Sequence, residues 1–573
     1  MDLKNTIDFR PKLITSLKNY NKSKFTSDLM AGIIVGIVAL PLAIAFGIAS
    51  GVSPEKGLIT AIVGGLIVSL LGGCNVQIGG PTGAFIVIVY GIIAKFGFEG
   101  LALATFMAGV MLLLMGVFKL GSVIKFIPYP IVIGFTGGIA LTIFTTQIKD
   151  LFGMQIDDVP ADFLSKWAVY FQHLDTINPY ALVIGIVSIA IIALMPRLSR
   201  RVPGSLVAIV LMTVVSFLLR RYAGITSIET IGDRFTINAS LPMPEGLSFN
   251  METINMLLPS AFTIAILGAI ESLLSATVAD GVTGDRHNSN TELMAQGAAN
   301  IIVPLFGGIP VTGAIARTMT NINNGGRTPV AGIIHAVVLL LILLFLSPLT
   351  KHIPMACLAG VLVMVSYNMS EWRTIRSMMH NPKSDVAVLI TTLVLTVIFD
   401  LTIAIEVGLV MAILLFMKRV MASTQITVIR DQMEVHHDGE RHDEQLAIPE
   451  STEVYEIEGP FFFGIANKFD EAMRRVGGNK SQIRVVRMRK VSFIDSTGIH
   501  NLEIFVRQSQ KENRVVILSG VNEDVHRALE KAGVCRLIGE ENVCNHIDKA
   551  LARASEVVKT LRSEEHTSEL QSL

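Results

Sequence analysis

Two stretches decide how this sequence is read: Gly79-Gly80-Pro81-Thr82-Gly83-Ala84-Phe85 and, 230 residues later, Ile309-Pro310-Val311-Thr312-Gly313-Ala314-Ile315. The first follows Leu71-Gly72-Gly73 and the second Phe306-Gly307-Gly308, so both combine a Gly-Gly approach, a proline and a Thr-Gly-Ala triplet. Each lies among long apolar runs, yet is too short and glycine-rich for an ordinary span of ~20 residues. Interrupted segments at corresponding places in two halves point to a transporter built from inverted repeats.

Working outward, apolar runs cover approximately 29–50, 57–71, 81–95, 101–118, 129–147, 179–195 and 203–219. After the polar stretch Arg220–Glu252 come 257–279, 292–306, 312–322, 329–347, 355–369, 385–400 and 402–417. This reads as a polytopic α-helical membrane protein of fourteen spans, two sets of seven, with a glycine-proline segment third in each set. An odd number of spans per repeat inverts the second copy, so the two broken helices direct their N-termini at each other.

The composition agrees. Of 573 residues, 51% are hydrophobic and 16% charged, against ~25% charged in a typical soluble chain. The net charge of zero is a cancellation: Met1–Val420 carries 27 Lys+Arg and 22 Asp+Glu, and Met421–Leu573 carries 20 and 25. That excludes a disordered chain and a nucleic-acid binder. Cys74, Cys357, Cys535 and Cys544 show no ligand spacing, so no metal and no cofactor are expected. Residues 1–25 are polar and basic, with no signal-peptide pattern. Lys119, Lys125, Arg197, Arg200, Arg201, Arg373, Arg376, Lys383, Lys418 and Arg419 follow even-numbered spans, which favours both termini in the cytoplasm of a bacterial inner membrane. Lys149, Arg220 and Arg221 dissent from that pattern.

The extended approach before each half-helix cannot face lipid, because unpaired backbone groups in hydrocarbon cost several kcal/mol. Opposed N-termini direct free N–H groups and positive dipole ends into one cavity, which suits a small anion. Gly83 and Gly313 permit close approach, Thr82 and Thr312 offer hydroxyls, and Arg317, one turn into the second half-helix, adds a full charge. Glu271 lies in the middle of an apolar span with Ser275 one turn on. A carboxylate there suits a proton carrier, or with Ser275 a sodium ligand; an ion pair with Arg317 is the structural alternative.

Ala279-Asp280-Gly281-Val282-Thr283-Gly284, Arg286-His287, Gly313-Ala314-Ile315-Ala316-Arg317 and Gly325-Gly326-Arg327-Thr328-Pro329-Val330-Ala331-Gly332 together resemble the bacterial sulfate permease (SulP) family, as do Val38-Ala39-Leu40-Pro41 and Gly80-Pro81-Thr82-Gly83. The resemblance spans about Phe25–Ser555. It implies a mobile core and a gate, elevator-like secondary transport of sulfate, bicarbonate, chloride or a dicarboxylate, and a homodimer. It also implies an anion site at Thr82, Gly83, Ala84, Phe85, Gly313, Ala314, Ile315 and Ala316. Sodium-coupled bicarbonate members carry Asp where this chain has Glu271, so proton coupling is preferred over sodium.

Residues 26–420 are therefore read as the transport domain, 421–450 as a linker and 451–560 as a soluble α/β domain. Strands are expected at Val454–Gly459, Ile483–Met488 and Val515–Leu518, and helices at Lys468–Arg475, Thr497–Gln510 and Glu523–Lys531. Asp495-Ser496-Thr497-Gly498 resembles the signature loop of the STAS domain, where Ser496 matches a phosphorylated serine; capping is the simpler role. Residues 561–573 include RSEEHTSELQS, which resembles a translated sequencing adapter and is set aside from the fold. The competing functions are a uracil-permease-like nucleobase carrier, a passive anion channel and a membrane-tethered signalling module; nothing in the sequence points to an enzyme.

Overall fold

The computed structural model describes the chain except residues 1–8, 19, 123–127, 157–158, 161, 199–202, 236–242, 245, 247–250, 400, 430–431, 436–443, 466–467, 470–480 and 573. The chain divides into two compact units, Met1–Ala412 and Ile413–Leu573.

In the first unit the apolar runs become helices, because every backbone group must be paired within its own segment away from water. Among the described residues, 7 helices are long and apolar enough to cross a membrane: Lys22–Ala49, Pro54–Leu71, Gly83–Val117, Tyr129–Phe152, Pro179–Leu198, Gly204–Tyr222 and Met251–Thr283. Ser289–Ile302, Ile315–Asn323, Val330–Thr350, Met355–Met369, Lys383–Ile398 and Leu401–Ser423 follow.

The expected runs 81–95 and 101–118 form one helical stretch of 35 residues, Gly83–Val117. At ~1.5 Å per residue it exceeds a ~30 Å bilayer core. It is broken at Gly97, whose φ of 67° and ψ of −172° a side chain would resist. Small residues let backbones meet elsewhere: a Cβ on Gly297 would lie 2.5 Å from the Leu113 nitrogen, and one on Gly109 2.6 Å from that of Ile301. The basic residues that dissent from the orientation rule are partly satisfied locally. Arg220 pairs with Asp233 at 2.9 Å, and Lys149 donates to the Ile156 carbonyl at 2.5 Å.

The second unit carries a five-stranded sheet in the order 425–429, 452–458, 483–490, 515–519, 543–544. The first pair is antiparallel and the others are parallel. Neighbouring residues alternate between two cores: Tyr455, Val486 and Leu518 with Phe505 on one face, and Val454, Val485 and Ile517 with Ala550 and Ala554 on the other. The strand Gln425–Ile429 corrects the expected linker 421–450. Its Ile426 and Val428 pack against the first of these cores, and its backbone pairs with Thr452–Glu458. Ser496–Lys511 and Glu523–Lys531 are helical as expected, while Lys468–Arg475 lies largely outside the described residues. The last helix, Ile547–Ser572, runs into the segment set aside, though its core contacts end at Val558.

Candidate functional site

The two motif stretches fold into one object. Gly79–Gly80 and Thr312–Gly313 form a short antiparallel ladder, Gly79 opposite Gly313 and Gly80 opposite Thr312, and the Ala314 amide donates to the Ile78 carbonyl at 2.9 Å. Beyond the ladder Thr82 stays extended (φ −129°, ψ 159°) before the tight turn Gly83–Phe85 opens the helix Ile86–Val117. On the other side Ala314 is the extended cap of Ile315–Asn323. The amides of Gly83 and Ala84, and of Ile315, Ala316 and Arg317, are first-turn amides with no carbonyl upstream in their own helix. Gly83, Ala84, Phe85, Gly313 and Ala314 are buried, whereas Ile315, at 36%, and Ala316 are exposed, so the second half-helix opens onto free space.

Arg317 is 2% exposed. Its Nη2 donates to the Pro81 carbonyl, and its Nη1 is buried without a partner. Gly80 makes room for it: a Cβ there would lie 2.1 Å from Nη1. Among the described residues Arg317 has no ion pair. Away from water a charge is kept only with a counter-charge and hydrogen bonds, since desolvation costs several kcal/mol. An anion at the junction would supply both.

The two threonines differ. Thr82 Oγ1 is buried with no partner. Thr312 donates its hydrogen to the Gly268 carbonyl at 3.1 Å and lies 2.6 Å from Ser272 Oγ, which also accepts from the Gly313 amide at 3.1 Å. With the Thr312 hydrogen committed, Ser272 is the donor between the two hydroxyls. Thr312 therefore binds structure, and Thr82 retains a free hydroxyl.

Phe85 packs toward Gly268 of the long helix Met251–Thr283, whose added Cβ would lie 3.6 Å from the Phe85 ring. Glu271, less than one turn on, is half-buried, and its carboxylate has no hydrogen bond or ion pair among the described residues. It is not the partner of Arg317. Ser275 donates to Thr318 Oγ1 at 3.2 Å, which accepts from the Ile78 amide at 3.1 Å; the serine holds the second half-helix in place. Ser496 is the exposed first residue of its helix, and the cap is Asp495, accepting from Gly498 at 2.8 Å and Phe463 at 3.1 Å.

Several supporting residues escaped the sequence reading. Glu292 accepts from the Gly73 amide at 2.9 Å and from Gln77 at 2.8 Å and Gln296 at 2.9 Å. Asn300 pairs both ways with the Val311 backbone at 2.8 and 2.9 Å. Thr60 accepts from Ile309 at 2.8 Å. Glu292, Gln296 and Asn300 recur every four residues, so they form one polar stripe on Ser289–Ile302. That stripe inside an apolar span was the available signal.

The profile of the sulfate permease family matches residues 25–392, and that of the STAS domain residues 445–550. The chain is 41% identical over 536 residues to "Putative sulfate transporter YvdB" of Bacillus subtilis, covering 93% of this chain and 98% of that one. It is 29% identical over 550 residues to "Bicarbonate transporter BicA" of Picosynechococcus, covering 92% and 94%. Among solved structures, the fold matches the murine Slc26a9 anion transporter in its inward-facing state with a TM-score of 0.84 at 18% identity, over 96% of this chain and 94% of that one. The transmembrane domain of a cyanobacterial BicA matches with a TM-score of 0.61 at 30% identity, over 68% and 98%. These relatives are transporters, not enzymes.

Proposed function

The chain belongs to the sulfate permease family, and on that premise we propose that it is a secondary active transporter of a small inorganic oxyanion, sulfate or bicarbonate in class. The observation that carries this reading is the buried, carboxylate-free guanidinium of Arg317, facing the junction of two half-helices. Thr82, Gly83, Ala84 and Phe85 would hold the anion from one side, and Gly313, Ala314, Ile315, Ala316 and Arg317 from the other. Backbone amides and a fixed charge read size and charge, which accommodates either oxyanion.

Glu271 is the coupling group in this reading. It has no partner among the described residues, is half-buried and lies three residues from Gly268, which faces Phe85, so it can take up a proton when the anion binds. The architecture is fourteen spans as two inverted seven-span repeats, in a homodimer in the bacterial inner membrane with cytoplasmic termini. The core carrying both half-helices moves against the gate, as an elevator. The test is uptake of labelled sulfate, bicarbonate and fumarate by proteoliposomes under imposed pH or sodium gradients. Accumulation of sulfate or bicarbonate driven by the pH gradient is expected. No uptake of any of them defeats the transport reading, and dependence on sodium alone defeats proton coupling.

A further inference from the structure

Lys166 sits on the short helix Phe163–Gln172, between the membrane-spanning helices Tyr129–Phe152 and Pro179–Leu198. A lysine in such a connection is expected to point into water, yet only 3% of it is exposed. Its Nζ lies 5.6 Å from the ring centroid of Tyr90, and among the described residues it has no hydrogen bond or ion pair. Asp162 is the carboxylate whose field reaches it, but Asp162 is committed as a helix cap, accepting from the Ser165 amide at 2.9 Å and hydroxyl at 2.8 Å. Burial holds the Lys166 ammonium below the usual lysine range, with Asp162 acting in the opposite sense.

One turn on, Tyr170 is 2% exposed and its hydroxyl is buried without a partner. Two buried polar groups, one turn apart on the same helix, thus have no hydrogen-bond partner for their side chains among the described residues. A cation–π contact returns less than taking an ammonium out of water costs. A small anion would close the difference, accepting from the ammonium and from the phenol.

The position gives this a use. Tyr90 belongs to the first half-helix, seven residues on from Gly83, which is about 10 Å along its axis at ~1.5 Å per residue. The half-helix that carries half of the central junction therefore has its flank under Lys166. We propose that Lys166 and Tyr170 form a second anion site, distinct from the Arg317 junction, which holds a small inorganic oxyanion beside the half-helix that leads to it. A lysine is a compact point charge with rotatable donors, so this site takes sulfate and bicarbonate alike and concentrates anions rather than selecting among them.

The experiment measures the Tm of the full-length protein in detergent against sulfate and against bicarbonate, at fixed pH and ionic strength with gluconate as the replacement. Arg317→Gln should retain a saturable rise in Tm, Arg317→Gln/Lys166→Gln should lose it, and Arg317→Gln/Lys166→Arg should keep it. Loss of the rise in Arg317→Gln alone, or its survival in the Lys166→Gln double variant, overturns the proposal. If that double variant does not fold, Arg317→Gln/Tyr170→Phe decides: a midpoint concentration several-fold higher supports the site, and an unchanged midpoint overturns it. Failure of the transport reading shows separately, as absent uptake by wild-type vesicles while the Lys166-dependent rise persists.

Discussion

Arg317 donates a hydrogen bond to the carbonyl of Pro81, 236 residues away in sequence, so the charge of one half-helix is anchored on the approach strand of the other. The guanidinium needs only one arm for this, and Nη1 stays unpartnered. The residue fastens the two motifs together and keeps a donor without a partner among the described residues.

Replacing it should separate these roles. Arg317→Gln is expected to raise the anion Kd about 10- to 100-fold, from loss of one charge-assisted hydrogen bond of about 1.5–3 kcal/mol. Arg317→Lys should recover only part of this, because an ammonium lacks the planar fork. Isothermal titration of sulfate or bicarbonate in detergent measures both; an unchanged Kd in Arg317→Gln removes Arg317 from the site.

Gly80→Ala tests the same charge without touching it. The added Cβ would lie 2.1 Å from Nη1, so the guanidinium must shift, at an overpacking cost of about 1–3 kcal/mol. Anion binding should weaken in a protein that still elutes as a folded species by size exclusion. Wild-type affinity in Gly80→Ala would show that the position of Nη1 is immaterial.

The two threonines should part company. Thr82→Val is expected to weaken anion binding and leave Tm nearly unchanged, since Thr82 Oγ1 bonds nothing among the described residues. Thr312→Val strands the Gly268 carbonyl and the Ser272 hydroxyl, and should cost about 1–3 kcal/mol of stability. Thermal unfolding and binding on the two variants give opposite rankings; equal loss of stability in both would contradict the bonding described.

Glu271→Gln should leave anion exchange down a concentration gradient and abolish accumulation driven by a pH gradient. Counterflow and gradient-driven uptake in the same vesicles read the two separately. Undiminished gradient-driven accumulation would remove Glu271 from coupling.

Much of the site was legible because its residues break a rule. Pro81 and Pro310 interrupt apolar runs, and Arg317 and Glu271 are charges where charges are expensive. The supporting shell was not, because Glu292, Gln296 and Asn300 obey an ordinary helical period and reveal their purpose only opposite Gly73, Gln77 and Val311. The strand Gln425–Ile429 was hidden for another reason: a strand is defined by its partner, and its partner begins at Thr452. Thr82 and Thr312 are indistinguishable in sequence, since only the third dimension brings Ser272 to one of them. The burial of Lys166 leaves no mark in the sequence, because a lysine in a short connection between spans looks the same whether buried or exposed.

The ladder between Gly79–Gly80 and Thr312–Gly313 is made of main-chain bonds alone. Side-chain mutation leaves its donors in place unless proline is introduced, so the ladder itself is indifferent to side-chain identity, and the Arg317–Pro81 and Ser275–Thr318–Ile78 bonds add side-chain ties beside it. If the junction holds the anion as proposed, a ladder of fixed width would neither tighten on it nor release it by spreading. On the proposed reading the junction's intrinsic affinity would be the same whichever face of the membrane it meets, and a difference in apparent affinity between the two faces would come from the surrounding walls and from the voltage the anion crosses. Measured in vesicles of both orientations at zero potential, inward and outward half-saturation concentrations should converge as the walls are trimmed, with the ladder left untouched.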